Sequence, residues 1–445
     1  MNNGRHHIIQ FTCIMALLSA IVVQGFTGVV KMRPMSPYID QLQVVKQDLT
    51  FEHYRDGSYQ MYLAQNAWKK SGFREFFSRC YNQVAFLFGK IANKNVKKGS
   101  HNELFLTGNL DDITGKLLTD RYGSIENAKA DAQKNVKETL ALIDTLRQHG
   151  TEFLFVFCPT KTAVYPEYMP KPYKDNISDF RLADYYVELF KENGIPHIDF
   201  YNYFISIKDS APYPLYTKTG CHWAESSIPM VADSIFRKIE SITDYKLPSI
   251  NYVDPNLSSH YSGHDSELET HIDLLFPMHN PKLPRPVITL TDTLGKDRPS
   301  LLVVGDGYFA PLLESCFIDA FDPWDFWMYN NLSNSSRPSN KWKYLDQLFN
   351  TAETLEQAGI VIALYTSNYL FNYMSGFTQT AQELFQKGVT GEQEALEIIM
   401  RRIMDDPKWM QAVEQQAQER GISVEENLIK NAKYILENEK DNNTE

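Results

Sequence analysis

Cysteine is scarce in this chain: five residues in 445, at positions 13, 80, 158, 221 and 316. None belongs to a CxxC pair or a His/Cys spacing of the kind that holds zinc, so neither a disulfide scaffold nor a metal site is expected. Positive charge is also in deficit. Lys and Arg number 44 against 55 Asp and Glu, a net charge of -11. The basic clusters are only short pairs such as Lys69-Lys70, Lys97-Lys98 and Arg401-Arg402. An acidic surface repels a phosphate backbone, so no nucleic-acid partner is expected. Residues 8–30 carry no charged side chain.

That run is long enough to cross a bilayer as a helix. Arg5 precedes it, and Lys31 and Arg33 follow. We read it as an uncleaved signal anchor, its N-terminus cytoplasmic and the bulk of the chain exported. The export leaves Cys80, Cys158, Cys221 and Cys316 able to form two disulfides in three connectivities. The whole chain has 43% hydrophobic and 22% charged residues, the balance of a folded protein.

Residues 31–69 read as a polar juxtamembrane segment. Beyond it, Phe77, Tyr81, Val84 and Phe88 fall at helical spacing and are expected to form a packing face. Val136, Leu140, Ile143 and Leu146 mark one face of a helix that Gly150 stops. Phe153 to Phe157 follows as a buried strand. A helix is expected from Phe180 to Lys191, a short strand at 197–200, a helix from Glu225 to Ile239, and strands at 301–304 and 360–364. Helices alternating with continuous apolar strands indicate a parallel sheet covered on both faces. Ligands bind beyond the carboxyl ends of such strands. Residues 245–297 lack a sustained period and are read as an insertion with little regular structure. Residues 331–340 are read as a surface loop.

The C-terminal part, 386–440, has its own helix signals. Thr390-Gly391-Glu392-Gln393 and Ser423-Val424-Glu425-Glu426 match the capping box. Asp406-Pro407 is a cap followed by proline at the first helical position. Val424, Leu428, Ala432 and Ile435 make one apolar stripe. Three short helices are expected as an appendage.

Several blocks, in order, resemble the alginate O-acetyltransferase family of SGNH-hydrolase-like proteins (the AlgX/AlgJ type). Gly72-Phe73-Arg74 with Asn82-Gln83 is similar to its opening block, and Glu103-Leu104-Phe105 to a degraded second one. Phe157-Cys158-Pro159-Thr160-Lys161 through Tyr165-Pro166-Glu167-Tyr168-Met169-Pro170 carries the most specific likeness. Leu215-Tyr216 through His222-Trp223 resembles "Y-x-x-x-D-x-H-W", and Gly305-Asp306-Gly307-Tyr308-Phe309 resembles "G-D-S-F". Tyr329-Asn330 fits a downstream block. The likeness covers roughly 70–375. It implies a three-layer α/β/α SGNH-hydrolase-like domain at 70–385, between the 8–30 anchor and the C-terminal appendage. It also implies a place in O-acetylation of an exported polysaccharide, at the cytoplasmic membrane of a bacterium with the bulk in the periplasm. A multi-span membrane O-acyltransferase is the implied partner, and no cofactor is implied.

In that family a serine is the nucleophile, a histidine the base and an aspartate its orienter. Carried over, the base position is His222 and is filled. The nucleophile position is Gly307 and the aspartate position is Gly220, and neither has a side-chain oxygen. Covalent catalysis by the family's route is therefore not expected. Cys221 and Tyr308 are candidate replacement nucleophiles. Asp199, Glu225 and Asp265 are candidate orienters of His222, with no spacing to choose among them. Lys161, Tyr165, Trp223, Asp306 and Tyr308 are expected to line a substrate site. His264 and His271 are read as exposed polar residues.

Overall fold

The structure, a computed structural model, describes residues 2–36, 44–253, 257–336, 342–348, 350–388 and 391–441. Eleven strands occur among them: β1 Val96–Lys98, β2 Leu104–Leu106, β3 Glu152–Cys158, β4 His197–Asp199, β5 Ser249–Val253, β6 Val287–Thr291, β7 Leu301–Gly305, β8 Trp324–Met328, β9 Leu332–Ser335, β10 Lys343–Tyr344 and β11 Ile360–Thr366. Seven of them form the main sheet, in the order β10-β9-β8-β7-β11-β3-β4. β8, β7, β11, β3 and β4 run parallel.

Side-chain alternation divides the core into two layers. Phe153, Phe155 and Phe157 of β3 pack with Val361, Ala363 and Tyr365 of β11 on one face. The Ile125–Gln148 and Leu182–Glu192 helices cover that face. Leu154 and Val156 pack with Ile360, Ile362 and Leu364 on the other, beneath the Ile228–Ile242 helix. Both faces of these strands are apolar because both are covered. The result is the expected three-layer α/β/α arrangement.

Two expectations about irregular segments are corrected. The 331–340 segment is not all loop: Leu332–Ser335 is strand β9, which pairs antiparallel with β8 and carries β10 at the sheet edge. Tyr329 and Asn330, both at positive φ, make the tight turn that allows the hairpin. Residues 337–341 lie outside the described part. The 245–297 insertion is also structured. β5 and β6 pair antiparallel, and a short helix spans Glu267–Ile272 between them.

The stripe at Phe77, Tyr81, Val84 and Phe88 lies on or just beyond the Arg74–Leu87 helix, but it is not a packing face. Those side chains are exposed, while Arg74, Arg79, Asn82 and Phe86 point inward. Towards the C-terminus, Glu392–Asp405, Pro407–Arg420 and Val424–Asp441 are helices with their own apolar cluster. Asp406 caps the second by accepting from the amides of Lys408 and Trp409. Ser423 accepts from the amide of Glu426 at the start of the third. The stripe of that last helix buries Leu428, Ala432 and Leu436, with Val424 exposed. The Thr390 cap lies outside the described residues.

Candidate functional site

β7 ends in a sharp turn at the carboxyl edge of the sheet. Asp306 shapes it. Its Oδ1 accepts from the Tyr308 amide at 3.0 Å, and its Oδ2 accepts from the amide and hydroxyl of Thr366 at 2.8 and 2.6 Å. Burial pushes its carboxyl up from the usual range, against the pull of these bonds. These bonds tie the turn to the end of β11, and both oxygens of the buried Asp306 carboxylate are engaged in them.

Opposite the turn lies the 215–224 loop. Trp223 is fully buried and anchors it against Phe200, Phe204 and Tyr308. Lys161, also buried, grips it from below. Its Nζ donates to the carbonyls of Thr217 at 2.6 Å and Lys218 at 2.9 Å and pairs with Glu103 at 2.8 Å. Tyr165 accepts from the Leu215 amide through its hydroxyl at 3.0 Å. The structure thus uses Lys161, Tyr165 and Trp223 to brace the loop from behind.

The braced loop delivers His222 to the turn. A carbon added to Gly307 would lie 3.0 Å from His222 Nε2. Residues 222 and 307, 85 apart in the chain, therefore face each other directly. The imidazole edge would have to give by a few tenths of an ångström to admit a side chain at 307. The Tyr329 hydroxyl, 3.8 Å from the same point, faces the Gly307 amide.

On its other side, His222 Nδ1 meets Glu267 Oε2 at 2.6 Å. This carboxylate orients the imidazole, and it is none of the three acids the sequence offered. Asp199 caps the Phe200–Ile207 helix. Glu225 holds Arg285 through two bonds of 3.1 Å. Asp265 accepts from the Glu225 amide at 3.1 Å, and burial, then the Glu225 charge, push its carboxyl up to about 7. Glu267 sits on the short helix of the insertion, whose Ser266-x-x-Glu269 pattern and Leu268/Ile272 spacing were legible signals of a helix.

Gly220 shows why the acid comes from elsewhere. A carbon there would lie 2.6 Å from the His264 carbonyl oxygen and 2.7 Å from Thr217 Oγ1. The insertion has closed over that position, leaving no room for an aspartate. His264 is also corrected: it is part of the site. Its Nδ1 bonds Glu267 Oε1 at 2.8 Å, and its ring packs edge-on to His222. Burial works to lower the His264 imidazole, but the bond to Glu267 and that carboxylate's charge outweigh it and raise the value. Burial likewise works to raise Glu267, yet bonds from His222 and then His264 hold it well below the carboxylate range. His271 is half-buried, and burial lowers its imidazole.

Neither replacement nucleophile is poised. Cys221 is buried, and burial and then Glu267 push its thiol well above its ordinary value. A thiol so held is not a thiolate. The Tyr308 hydroxyl donates to the Cys221 carbonyl at 2.7 Å, and burial keeps it protonated. Cys221 Sγ, His222 Nδ1 and a Glu267 oxygen converge within 4.8 Å, close enough to hold an ion. Hydrogen bonds among the three account for that closeness.

Two clefts open nearby. One, of ≈ 570 Å³, is walled by Tyr203, Tyr213 and Tyr252. The other, of ≈ 600 Å³, runs along the Glu267–Ile272 helix on the side of Glu269 and Thr270, with Tyr261, His279 and Asn280 opposite. Asn280 is buried, and its Oδ1 has no hydrogen-bond partner among the described residues.

Residues 117–257 match a family described as SGNH hydrolase-like domain, acetyltransferase AlgX. That stretch contains Gly220 and His222, and the turn at Gly307 lies beyond it. The O-acetyltransferase domain of Pseudomonas putida AlgJ is similar at 14% identity and a TM-score of 0.41, over 64% of this chain and 99% of that one. Pseudomonas aeruginosa AlgX is similar at 18% identity and a TM-score of 0.44, over 66% and 67%. Bacillus cereus PatB1 with a sulfonyl adduct is similar at 11% identity and a TM-score of 0.35, over 56% and 93%. No curated protein matches. The family match over residues 117–257 agrees with the AlgX/AlgJ-type likeness read from the sequence blocks.

Proposed function

We propose that this AlgX/AlgJ-like protein serves O-acetylation of an exported polysaccharide without itself forming an acyl-enzyme. It would hold the glycan, a multi-span membrane O-acyltransferase, or both. The observation that carries this reading is at Gly307. The position facing the base has no oxygen, and the imidazole fills the space beside it. A histidine without a nucleophile cannot start covalent acyl transfer. The ≈ 600 Å³ cleft suits a glycan, since it offers the Tyr261 ring for stacking and the unpartnered Asn280 Oδ1 for a sugar hydroxyl.

The same reading places the chain on the bacterial inner membrane by a single span, with the bulk in the periplasm. Its support is the apolar stretch His6–Thr27, 22 residues with a mean hydropathy of 2.0. A signal sequence has the same composition, so the N-terminus of membrane-extracted protein tests it. An intact Met1 supports the anchor, and cleavage after residue 30 removes it. The functional test is acetylesterase turnover and acetyl transfer to an oligosaccharide by the purified protein. Neither is expected above background, and His222→Ala should change nothing. Turnover that His222→Ala abolishes would overturn the reading.

The His222–Glu267 pair favours a second reading, an acetylesterase whose nucleophile is water. Nε2 would take a proton from water as the water oxygen bonds to the acetyl carbon. The same proton would then pass to the departing glycan oxygen, yielding acetate and a free hydroxyl. A nucleophile relocated to Cys221, Tyr308 or Tyr329 would instead leave a covalent acetyl adduct, which mass spectrometry distinguishes.

A further inference from the structure

The Arg74–Leu87 helix is inside out. Its buried face is polar except for Phe86, and its outward face is apolar. Phe76, Phe77, Tyr81, Val84 and Leu87 are 43%, 41%, 69%, 54% and 71% exposed, and Phe88 just beyond is 79% exposed. Inward, Arg79 donates to the carbonyls of Arg33 and Pro34 at 2.8 and 2.6 Å and pairs with Asp273 at 3.2 Å. Asn82 donates to the carbonyls of Ile272 and Asp273, both at 3.2 Å. A contiguous apolar face of this kind marks a surface that something covers.

The neighbouring apolar helix identifies the cover. Gly72 and Gly25 bring the backbones together: a carbon on Gly72 would lie 2.2 Å from the Ile21 carbonyl oxygen and 2.7 Å from the Gly25 amide. Residues 70–72 thus rest on the last turns of the Asn2–Thr27 helix. At about 1.5 Å per residue, Gly25 lies only about 3 Å short of that helix's end. If the helix spans a bilayer, the Arg74–Leu87 helix begins at the lipid–water boundary. Lys31, Arg33, Lys69 and Lys70 are exposed around the same junction, beside the half-exposed Trp68. Basic side chains and tryptophan are the residues that settle at lipid headgroups.

We propose that the Arg74–Leu87 helix lies in the membrane surface on the side of the exported bulk, its Phe76–Phe88 face among the lipids. The proposal rests on the anchor reading above. It also gives the inward polar face a purpose. Arg79 and Asn82 hold the end of the Glu267–Ile272 helix, so the membrane helix is joined through that short helix to the carboxylate that orients His222. The bilayer then fixes the height and tilt of the site and its cleft.

The test is the full chain reconstituted in phosphatidylethanolamine and phosphatidylglycerol vesicles containing a diazirine phospholipid, irradiated and mapped by mass spectrometry. Lipid adducts are expected both within 8–27 and on side chains of 76–88. Adducts in neither segment would remove the anchor itself. Adducts in 8–27 alone would leave the anchor standing and overturn this proposal. So would cross-links from 76–88 to a second copy, or to a co-reconstituted membrane protein, in place of lipid. The combined variant Phe77→Ser, Tyr81→Ser, Val84→Ser and Leu87→Ser removes no core contact and is expected to fold. It should lower adducts in 76–88 by about tenfold and leave those in 8–27 unchanged. Undiminished adducts in 76–88 would contradict the proposal.

Discussion

The two glycines to which the family resemblance assigns an aspartate and a serine have different surroundings. Beside Gly220 a carboxylate arrives from elsewhere in the chain. Glu267 reaches His222 from the insertion, and His264 closes over the old position. At Gly307 nothing comparable has happened. Among the described residues, the nearest hydroxyl to a side-chain position there is that of Tyr329, at 3.8 Å, directed at a backbone amide. The comparison separates two properties that a triad normally combines. An imidazole oriented by a carboxylate is present, and no side-chain oxygen stands at the position that faces it.

The comparison is most sharply broken by reinstating the aspartate. Gly220→Asp would drive a carbon to 2.6 Å from a backbone carbonyl in a fully buried position. A loss of about 3 kcal/mol or more is expected in denaturant unfolding, since overpacking and a buried charge act together. Retention of full stability would mean that the insertion can open again.

Next in size is Glu267→Gln, which takes the charge from between two imidazoles whose side chains are about 15% exposed. Charge-assisted bonds of this kind contribute about 1.5–3 kcal/mol, so a loss of about 2 kcal/mol is expected in thermal unfolding. The His264 imidazole should titrate lower in the variant by NMR, because its raised value depends on Glu267.

A smaller effect follows from pH. The folded value of His264 is raised above its unfolded value, so its contribution is fully present below the unfolded value. It is lost as pH rises through the folded one. Glu267 is depressed and stays ionised throughout that range. Stability relative to His264→Asn should therefore narrow as pH rises above about 6.5. A constant gap would show that His264 does not change charge there.

The smallest stability effect belongs to Gly307→Ser. Its φ is not in the left-handed region, and the contact at 3.0 Å is with a ring edge that can shift. A change within about 1 kcal/mol is expected.

Much of the sheet could be read from the chain. β3, β7 and β11 are continuous apolar runs because both their faces are covered, and periodicity detects that directly. The pairing of 222 with 307 could also be read, from the resemblance of their two blocks to the family's motifs. The source of the carboxylate could not. Glu267 sits on a helix of six residues, whose Leu268/Ile272 spacing marks a helix but not what its carboxylate meets, within a segment rich in turn residues. The Arg74–Leu87 helix misled for the opposite reason. Its apolar spacing is real, but periodicity reports a face and not what covers it. β9 was hidden because Ser333, Asn334 and Ser335 carry no β-branched or aromatic signal, and the hairpin itself supplies the pairing.

The central claim is that a competent base faces a missing nucleophile. Its most direct test is the intact mass of the wild type and of Gly307→Ser after incubation with an activated acetyl ester. The account predicts no acetyl adduct on the wild type, and one on the hydroxyl introduced at position 307 that disappears when His222→Ala is added. A stoichiometric acetyl adduct on the wild-type protein, abolished by His222→Ala alone, would contradict it.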